Sequence, residues 1–239
     1  MQQAIDHIVT PVLAGLDSVW PSGYAAVLYG SGARGEFAPG ISDVNLLVVC
    51  EALDVAALNR LGGPVRKLRD AGQPPPLLIE RGEWERATDV FPIEITDMQV
   101  AHTVLRGSDP VAGRRVDPDD LRRALEAELR AKQLRLRQAY AAGIADPDVL
   151  SQVAAGTVSS VVTLFRVSLV LAGNPVPPAT PDCLGAAGRV LGIDTAPVAE
   201  VWARRRKGDR ACPPLLFEGY LSAVAGAVRA TDQFTRGGL

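Results

Sequence analysis

The residues best suited to chemistry lie in a glycine-rich break between two apolar runs near the start of the chain. Tyr24 to Tyr29 is apolar enough for a buried strand, and Gly30-Ser31-Gly32 ends it at once. A tight glycine turn presents backbone N–H groups that can bind phosphate oxygens. The second apolar run, Val44 to Cys50, follows Asp43, a carboxylate able to hold a metal ion. Phosphate donors beside a metal ligand are what nucleotide chemistry requires.

The spacing of residues across this break resembles the signature of the polymerase-beta-like nucleotidyltransferase superfamily, especially its small bacterial and aminoglycoside-modifying members. That signature is Gly-Ser, then Arg-Gly or a similar pair, then Ser-Asp-x-Asp before apolar residues. The resemblance implies that the first five matching positions bind nucleotide and that the last binds metal and serves catalysis. The matching positions are Gly30, Ser31, Arg34, Gly35, Ser42 and Asp43.

The chain departs from this signature at Asn45, which stands where the superfamily has its second aspartate. In the superfamily the two aspartates lie two residues apart on one strand, so both project from one face and bind a pair of Mg²⁺ ions. Asparagine keeps the shape and one carbonyl oxygen but loses the negative charge that a hard cation prefers. We therefore expect Asn45 to assist Asp43 at a weakened metal site.

The resemblance also implies a third carboxylate on a neighbouring strand, flanked by apolar residues. The segment Val90 to Met98 fits this description, and we predict a strand there. Glu94, between two isoleucines, best fits the pattern; it would complete the metal site or act as the catalytic base. Asp97 is the alternative third carboxylate. The structural alternative is that Glu94 is a solvated residue on an outward strand face.

The activity implied by the resemblance is transfer of a nucleoside monophosphate from a Mg²⁺-bound nucleoside triphosphate (NTP) to a hydroxyl of a small molecule or protein. Asp43 and Glu94 would be the catalytic residues, Mg²⁺ the cofactor and NTP a substrate. The alternative is a catalytically impaired nucleotide-binding or partner-binding module, because Asn45 replaces the second metal-binding aspartate. Arg34 would either serve the phosphates and their loop or pair with Glu36 at the surface; both interpretations remain open.

The flanking elements predict an α+β fold, with an N-terminal nucleotidyltransferase-like mixed β-sheet and flanking helices followed by a C-terminal α-helical bundle. We predict a helix over 2–19, a second over 53–70 that breaks at Gly62-Gly63-Pro64, and a short strand over 77–80. A Gly- and Pro-rich stretch around 107–118 separates the nucleotidyltransferase-like domain, residues 1–112, from the helical bundle domain, residues 113–239.

One predicted helix of the bundle requires a membrane test. The segment Val153 to Gly173 is strongly apolar and about as long as a membrane-spanning helix. It contains Arg166, which would be costly inside a bilayer. We therefore expect the central helix of a soluble bundle, and no membrane partner.

The charge balance and the cysteine spacing argue against several other classes of protein. The chain has 25 basic and 27 acidic residues, and a net charge of −2 argues against a dedicated nucleic-acid binder. Cys50, Cys183 and Cys212 lie too far apart to indicate a zinc site or a disulfide framework, and they suit a reducing cytoplasm. The first residues lack a basic region followed by an apolar core, so we expect a cytoplasmic protein. A homodimer or a partner protein remains open.

Overall fold

A computed structural model describes residues 2–144 and 146–234 of the chain. These residues form two compact units, Met1–Arg115 and Val116–Leu239. The first unit contains a sheet with flanking helices and the second is helical, which confirms the α+β fold class.

The first unit is built on a four-stranded mixed sheet with the strand order β3-β2-β1-β4. The central strand β1, Tyr24–Tyr29, pairs antiparallel with β2, Asn45–Cys50, and with β4, His102–Arg106. The edge strand β3, Leu77–Glu80, runs parallel to β2. Tyr29 lies directly opposite Asn45 in the register of β1 and β2, so the residues that connect these strands begin and end at one edge.

One face of this sheet is covered by helices α1, Gln2–Val19, and α2, Val55–Asp70. Side chains alternate between the faces of a strand, so the even-numbered positions of β1 and β2 face these helices. Tyr29 and Asn45 therefore project from the opposite face. The core on the helix side includes Ala26, Leu28, Leu46, Val48, Ile5, Leu16, Leu61 and Leu68.

The predicted strand over Val90 to Met98 is wrong, because this segment forms helix α4, Pro92–Val100. Pro92 suits the first position of a helix, where its missing N–H group has no intrahelical partner to lose. Glu94 lies in the first turn, where an acid interacts favourably with the helix dipole. The helix is buried on most sides, so apolar residues are not confined to one helical face. Their alternation in the sequence therefore resembles a strand pattern although the segment is helical. The fourth strand is β4, which comes later in the chain.

A short helix α3, Arg81–Glu85, precedes α4 and anchors the end of the first unit. The Glu80 and Glu83 side chains form a reciprocal capping box at its start. Trp84 is fully buried, and its indole Nε1 donates a hydrogen bond of 2.8 Å to the carbonyl oxygen of Pro110. The segment after β4 is therefore held against α3.

The second unit consists of helices α5, Pro118–Gly143; α6, Pro147–Leu171; α7, Thr180–Leu191; α8, Ala196–Arg206; and α9, Pro214–Asp232. Helix α6 contacts the other four helices and lies at the centre of the unit. By length and mean hydropathy it is the one helix in the described residues that could cross a membrane, but 67% of its most apolar window is buried by the protein. This burial is typical of the core helix of a bundle.

Helix α2 continues through Pro64, so the predicted break at this position is wrong. Its buried residues Ala57, Leu61, Pro64 and Leu68 lie on one face, which packs against α1. At the contact, Gly15 of α1 faces the proline ring: a Cβ at Gly15 would lie 2.4 Å from Pro64 Cγ. The two helices approach closely here because Gly15 has no side chain.

Because of this close approach, alanine substitutions at two glycines are expected to change the free energy of unfolding in opposite directions. Gly15→Ala is expected to lower the free energy of unfolding by about 1–2 kcal/mol, because the new methyl group collides with Pro64. Gly62→Ala is the matched control, since a Cβ there would meet nothing within 4 Å. It is expected to raise the free energy of unfolding by about 0.5 kcal/mol through helix propensity. Urea unfolding measures both, and equal stabilisation by the two variants would contradict the packing.

Candidate functional site

The Gly-Ser break forms a single helical turn directly after β1. The Arg34 N–H group donates to the Gly30 carbonyl oxygen at 3.2 Å, and the Glu36 N–H group donates to the Ser31 carbonyl oxygen at 2.9 Å. Gly35 has a φ of 72°, a left-handed conformation that ends such a turn. The Arg-Gly pair of the signature therefore closes the turn that begins at Gly30.

The first residues of this turn present donors that the protein does not use. Across the ranges that the structure describes, the N–H groups of Ser31, Gly32 and Ala33 and the Ser31 hydroxyl donate to no other residue. Neighbouring N–H groups at the start of a turn form a concave site for an anion. This turn can therefore bind phosphate oxygens.

The side chain of Ser42 forms a hydrogen bond within the loop that precedes β2. Its hydroxyl accepts a hydrogen bond of 3.1 Å from the Ala38 N–H group, and its own N–H group donates to the Ala38 carbonyl oxygen at 2.8 Å. The Val44 N–H group donates to Gln73 Oε1 at 2.7 Å, which fixes the entry to β2. Ser42 thus shapes the loop that leads to Asp43. Its predicted role in nucleotide binding stays a prediction.

The amide of Asn45 lies directly over Gly30. A Cβ added at Gly30 would be 2.6 Å from Asn45 Nδ2, and the φ of Gly30 is 71°, so the position suits only glycine. Asn45 is half-buried, and within 2–144 and 146–234 its side-chain nitrogen donates to no residue. The structure therefore brings the substituted position of the signature against the Gly-Ser turn.

Asp43 lies two residues before Asn45, just ahead of the first residue of β2. Its side chain is exposed and forms no ion pair with any described residue. An exposed carboxylate without a partner can bind a cation. The predicted role of Asp43 in metal binding and catalysis stays a prediction.

Glu94 and Asp97 lie on α4 and have different environments. Glu94 is exposed, whereas Asp97 is buried and paired with Arg34. Arg34 Nη1 donates to both carboxylate oxygens of Asp97, at 3.0 and 3.3 Å, and the two side chains are 9% and 7% exposed. Arg34 therefore fastens the Gly-Ser turn to α4. Of the two alternatives for Arg34, holding the loop is the one that this contact supports.

Tyr29 is a site residue that the sequence pattern did not single out. Burial raises the pKa of the Tyr29 hydroxyl, and the negative charges of Glu94 and Asp97 raise it further. The Tyr29 side chain consequently lies within electrostatic reach of both acids of α4 and remains a neutral hydrogen-bond donor near pH 7. Its position immediately before Gly30 was the signal that could have identified it.

The donor set does not fit a pair of Mg²⁺ ions held by three carboxylates. No group of three His, Cys, Asp or Glu side chains among the described residues is placed to hold a metal ion, so Asp43, Glu94 and Asp97 do not form such a cluster. Mg²⁺ in proteins is commonly bound by one or two carboxylates together with substrate phosphates. Asp43 suits a cation that arrives on the nucleotide.

The fold is similar to that of a solved nucleotidyltransferase. No protein-family model matches the chain, and no curated protein matches its sequence. One similar structure is that of spectinomycin adenyltransferase AAD(9) from Enterococcus faecialis, solved with ATP and spectinomycin. The TM-score is 0.56 at 12% sequence identity, over 95% of this chain and 99% of that chain. This likeness shows that the chain has a nucleotidyltransferase-like fold.

The contact between Gly30 and Asn45 is tested by comparing two glycines with the same backbone conformation. Gly30 and Gly40 have φ values of 71° and 74°, but a Cβ at Gly40 would meet nothing within 4 Å. Gly40→Ala is expected to cost about 1 kcal/mol, from backbone strain alone. Gly30→Ala is expected to cost about 2 kcal/mol more, because it also collides with Asn45. Urea unfolding measures the costs, and the double variant Gly30→Ala/Asn45→Ala should regain the difference; equal costs at the two glycines would contradict the contact.

The ion pair between Arg34 and Asp97 is tested by a double-mutant cycle. Either alanine substitution alone leaves a buried charge without its main partner and is expected to cost about 3 kcal/mol. The coupling energy from the double variant is expected to be about 2 kcal/mol in chemical denaturation. Arg69 and Asp70 form the control pair, with side chains 74% and 63% exposed, and their coupling should stay below about 0.5 kcal/mol. Indistinguishable couplings would show that Arg34 does not fasten the turn to α4.

Proposed function

We propose that this protein binds a Mg²⁺-bound nucleoside triphosphate at the Gly-Ser turn and transfers its nucleoside monophosphate to an acceptor hydroxyl. The observation that carries the proposal is the set of unused donors at Ser31, Gly32 and Ala33, in the turn that begins at Gly30 against the Asn45 amide. The exposed Asp43 comes two residues before Asn45 in the chain. Donors of this kind suit phosphate, and the nucleotidyltransferase-like fold supports the same reaction class.

In the proposed reaction the acceptor hydroxyl attacks the α-phosphorus and displaces pyrophosphate. The bond formed joins the acceptor oxygen to phosphorus, and the bond broken is the anhydride between the α- and β-phosphates. The Ser31 hydroxyl and the turn N–H groups orient the phosphates, and Asp43 would hold the Mg²⁺ that accompanies the nucleotide. Glu94, which is exposed on α4, accepts the hydroxyl proton. The Mg²⁺ bound with the nucleotide would supply neutralisation of the phosphate charge.

The acceptor in this proposal is a small molecule or a protein side chain. The similar structure was solved with ATP and spectinomycin, which supports ATP and a small hydroxyl-bearing acceptor as the first candidates to examine here. We place the reaction in the cytoplasm, where nucleoside triphosphates are available. The three cysteines are buried thiols, which is compatible with that compartment.

A second candidate function is nucleotide binding without transfer. The observation in its favour is Asn45 itself, since the amide removes one negative charge from the position where the superfamily signature has an acid. Weaker binding of divalent cations slows a reaction that depends on charge neutralisation. In this case the protein would sense a nucleotide or respond to it through a partner.

Calorimetric titration with ATP tests nucleotide binding, which both candidate functions require. Wild type is expected to bind ATP in Mg²⁺, and Asp43→Asn is expected to weaken that binding about tenfold, because a ligand for the cation is lost. In EDTA the same substitution should not weaken binding, since it removes a repulsive charge. Asp70→Asn, which changes an exposed acid on α2, is the charge-matched control. Failure of wild type to bind any nucleoside triphosphate would overturn the proposal.

Pyrophosphate release separates transfer from binding alone. Wild type is expected to release pyrophosphate from ATP in the presence of an acceptor drawn from a panel of hydroxyl-bearing small molecules. Glu94→Gln should reduce that release while leaving ATP affinity within about twofold, because Glu94 acts on the acceptor. Tight binding without turnover, together with turnover in Asn45→Asp, would instead establish the second candidate.

A further inference from the structure

We propose that Asn45 is a phosphate-binding residue rather than a metal ligand, and that the site takes a nucleoside triphosphate with one divalent cation instead of two. This inference rests on the proposed function. It gives a role to Asn45, the position at which the chain departs from the nucleotidyltransferase signature. An amide at this position donates hydrogen bonds, which a carboxylate cannot do.

The position of the amide nitrogen is the first support. Asn45 Nδ2 is the side-chain atom closest to Gly30, and the pairing of Tyr29 with Asn45 holds it there. It donates to no residue in the part of the chain that the structure describes. The Ser31 hydroxyl and the N–H groups of the turn lie along the same short segment. Asn45 therefore adds a donor to a site that already consists of donors.

The carboxylates around the turn supply the second support. Asp43 is exposed and forms no ion pair with the described residues, so it is available to one cation. Asp97 is buried and forms an ion pair with Arg34, with 3.0 Å between Asp97 Oδ2 and Arg34 Nη1. A pair of divalent cations is typically held by a cluster of carboxylates, and among the described residues Asp43 belongs to no group of three acidic, histidine or cysteine side chains placed to hold a metal ion.

The electrostatic consequence distinguishes this site from a two-metal site. Where two aspartates face the triphosphate, they repel it unless cations lie between them. With Asn45 at one of these positions, the repulsion is smaller and a donor contacts the phosphate directly. Nucleotide binding should therefore depend less on divalent cations than binding at a site with two aspartates.

Metal-free binding and metal stoichiometry test this inference. Calorimetry with ATP in EDTA is expected to show that Asn45→Asp weakens binding about tenfold or more, because a donor to the phosphate is replaced by a like charge. Asn59→Asp on α2 makes the same charge change at an exposed position and should leave the affinity unchanged. Electron paramagnetic resonance of Mn²⁺ should count one ion per ATP bound to wild type. That count needs no variant, so it holds even where Asn45→Asp fails to fold.

The outcomes separate this inference from the function on which it rests. Two Mn²⁺ ions per bound ATP in wild type would overturn the inference and leave the proposed function intact. Equal ATP affinity of wild type and Asn45→Asp in EDTA would do the same. Absence of ATP binding to wild type, with and without metal, would overturn both.

Discussion

The structure of the site depends on Gly30 having no side chain. The register of β1 and β2 places Tyr29 opposite Asn45, so the next residue of the chain must pass beneath the Asn45 amide. Any side chain at Gly30 would occupy the space of that amide, and the φ of 71° disfavours other residues independently. Because the backbone turns here without a side chain, the Asn45 amide lies against the residue at which the Gly-Ser turn begins.

Charge distribution around this turn determines what it can bind. The Arg34–Asp97 pair fastens the turn to α4 and removes one acid from the set available to a metal ion. Asp43 and Glu94 are the exposed acids of the predicted site. Burial and the acids of α4 raise the pKa of the Tyr29 hydroxyl, which moves this neutral donor further from ionisation. A site with many donors and few exposed acids suits a polyphosphate that brings its own cation.

Much of the first unit could be predicted from local patterns. The apolar runs over 24–29 and 44–50 and the glycine break between them identify β1, β2 and the turn, because each signal is confined to a few neighbouring residues. Helix α4 was predicted as a strand because burial on most sides hides the helical period. The predicted break in α2 was wrong for a tertiary reason: Pro64 packs against Gly15 of another helix.

The side-chain partners within the site could not be predicted in the same way. Arg34 and Asp97 are 63 residues apart, and only the folding of α4 against the turn brings them together. The role of Tyr29 depends equally on where Glu94 and Asp97 come to lie. The substitution at Asn45 was visible in the sequence, but its consequence depends on which atom of the amide faces Gly30.

Nuclear magnetic resonance titration with ATP shows whether the Gly-Ser turn and Asn45 together contact the nucleotide. In ¹H–¹⁵N spectra, we expect saturable shifts in the backbone amides of Ser31, Gly32 and Ala33 and in the side-chain amide of Asn45. These signals should move together, with a single apparent affinity, because one phosphate chain contacts all of them. Shifts confined to other parts of the protein, with these four residues unchanged at saturating ATP, would show that the nucleotide does not bind at the Gly-Ser turn.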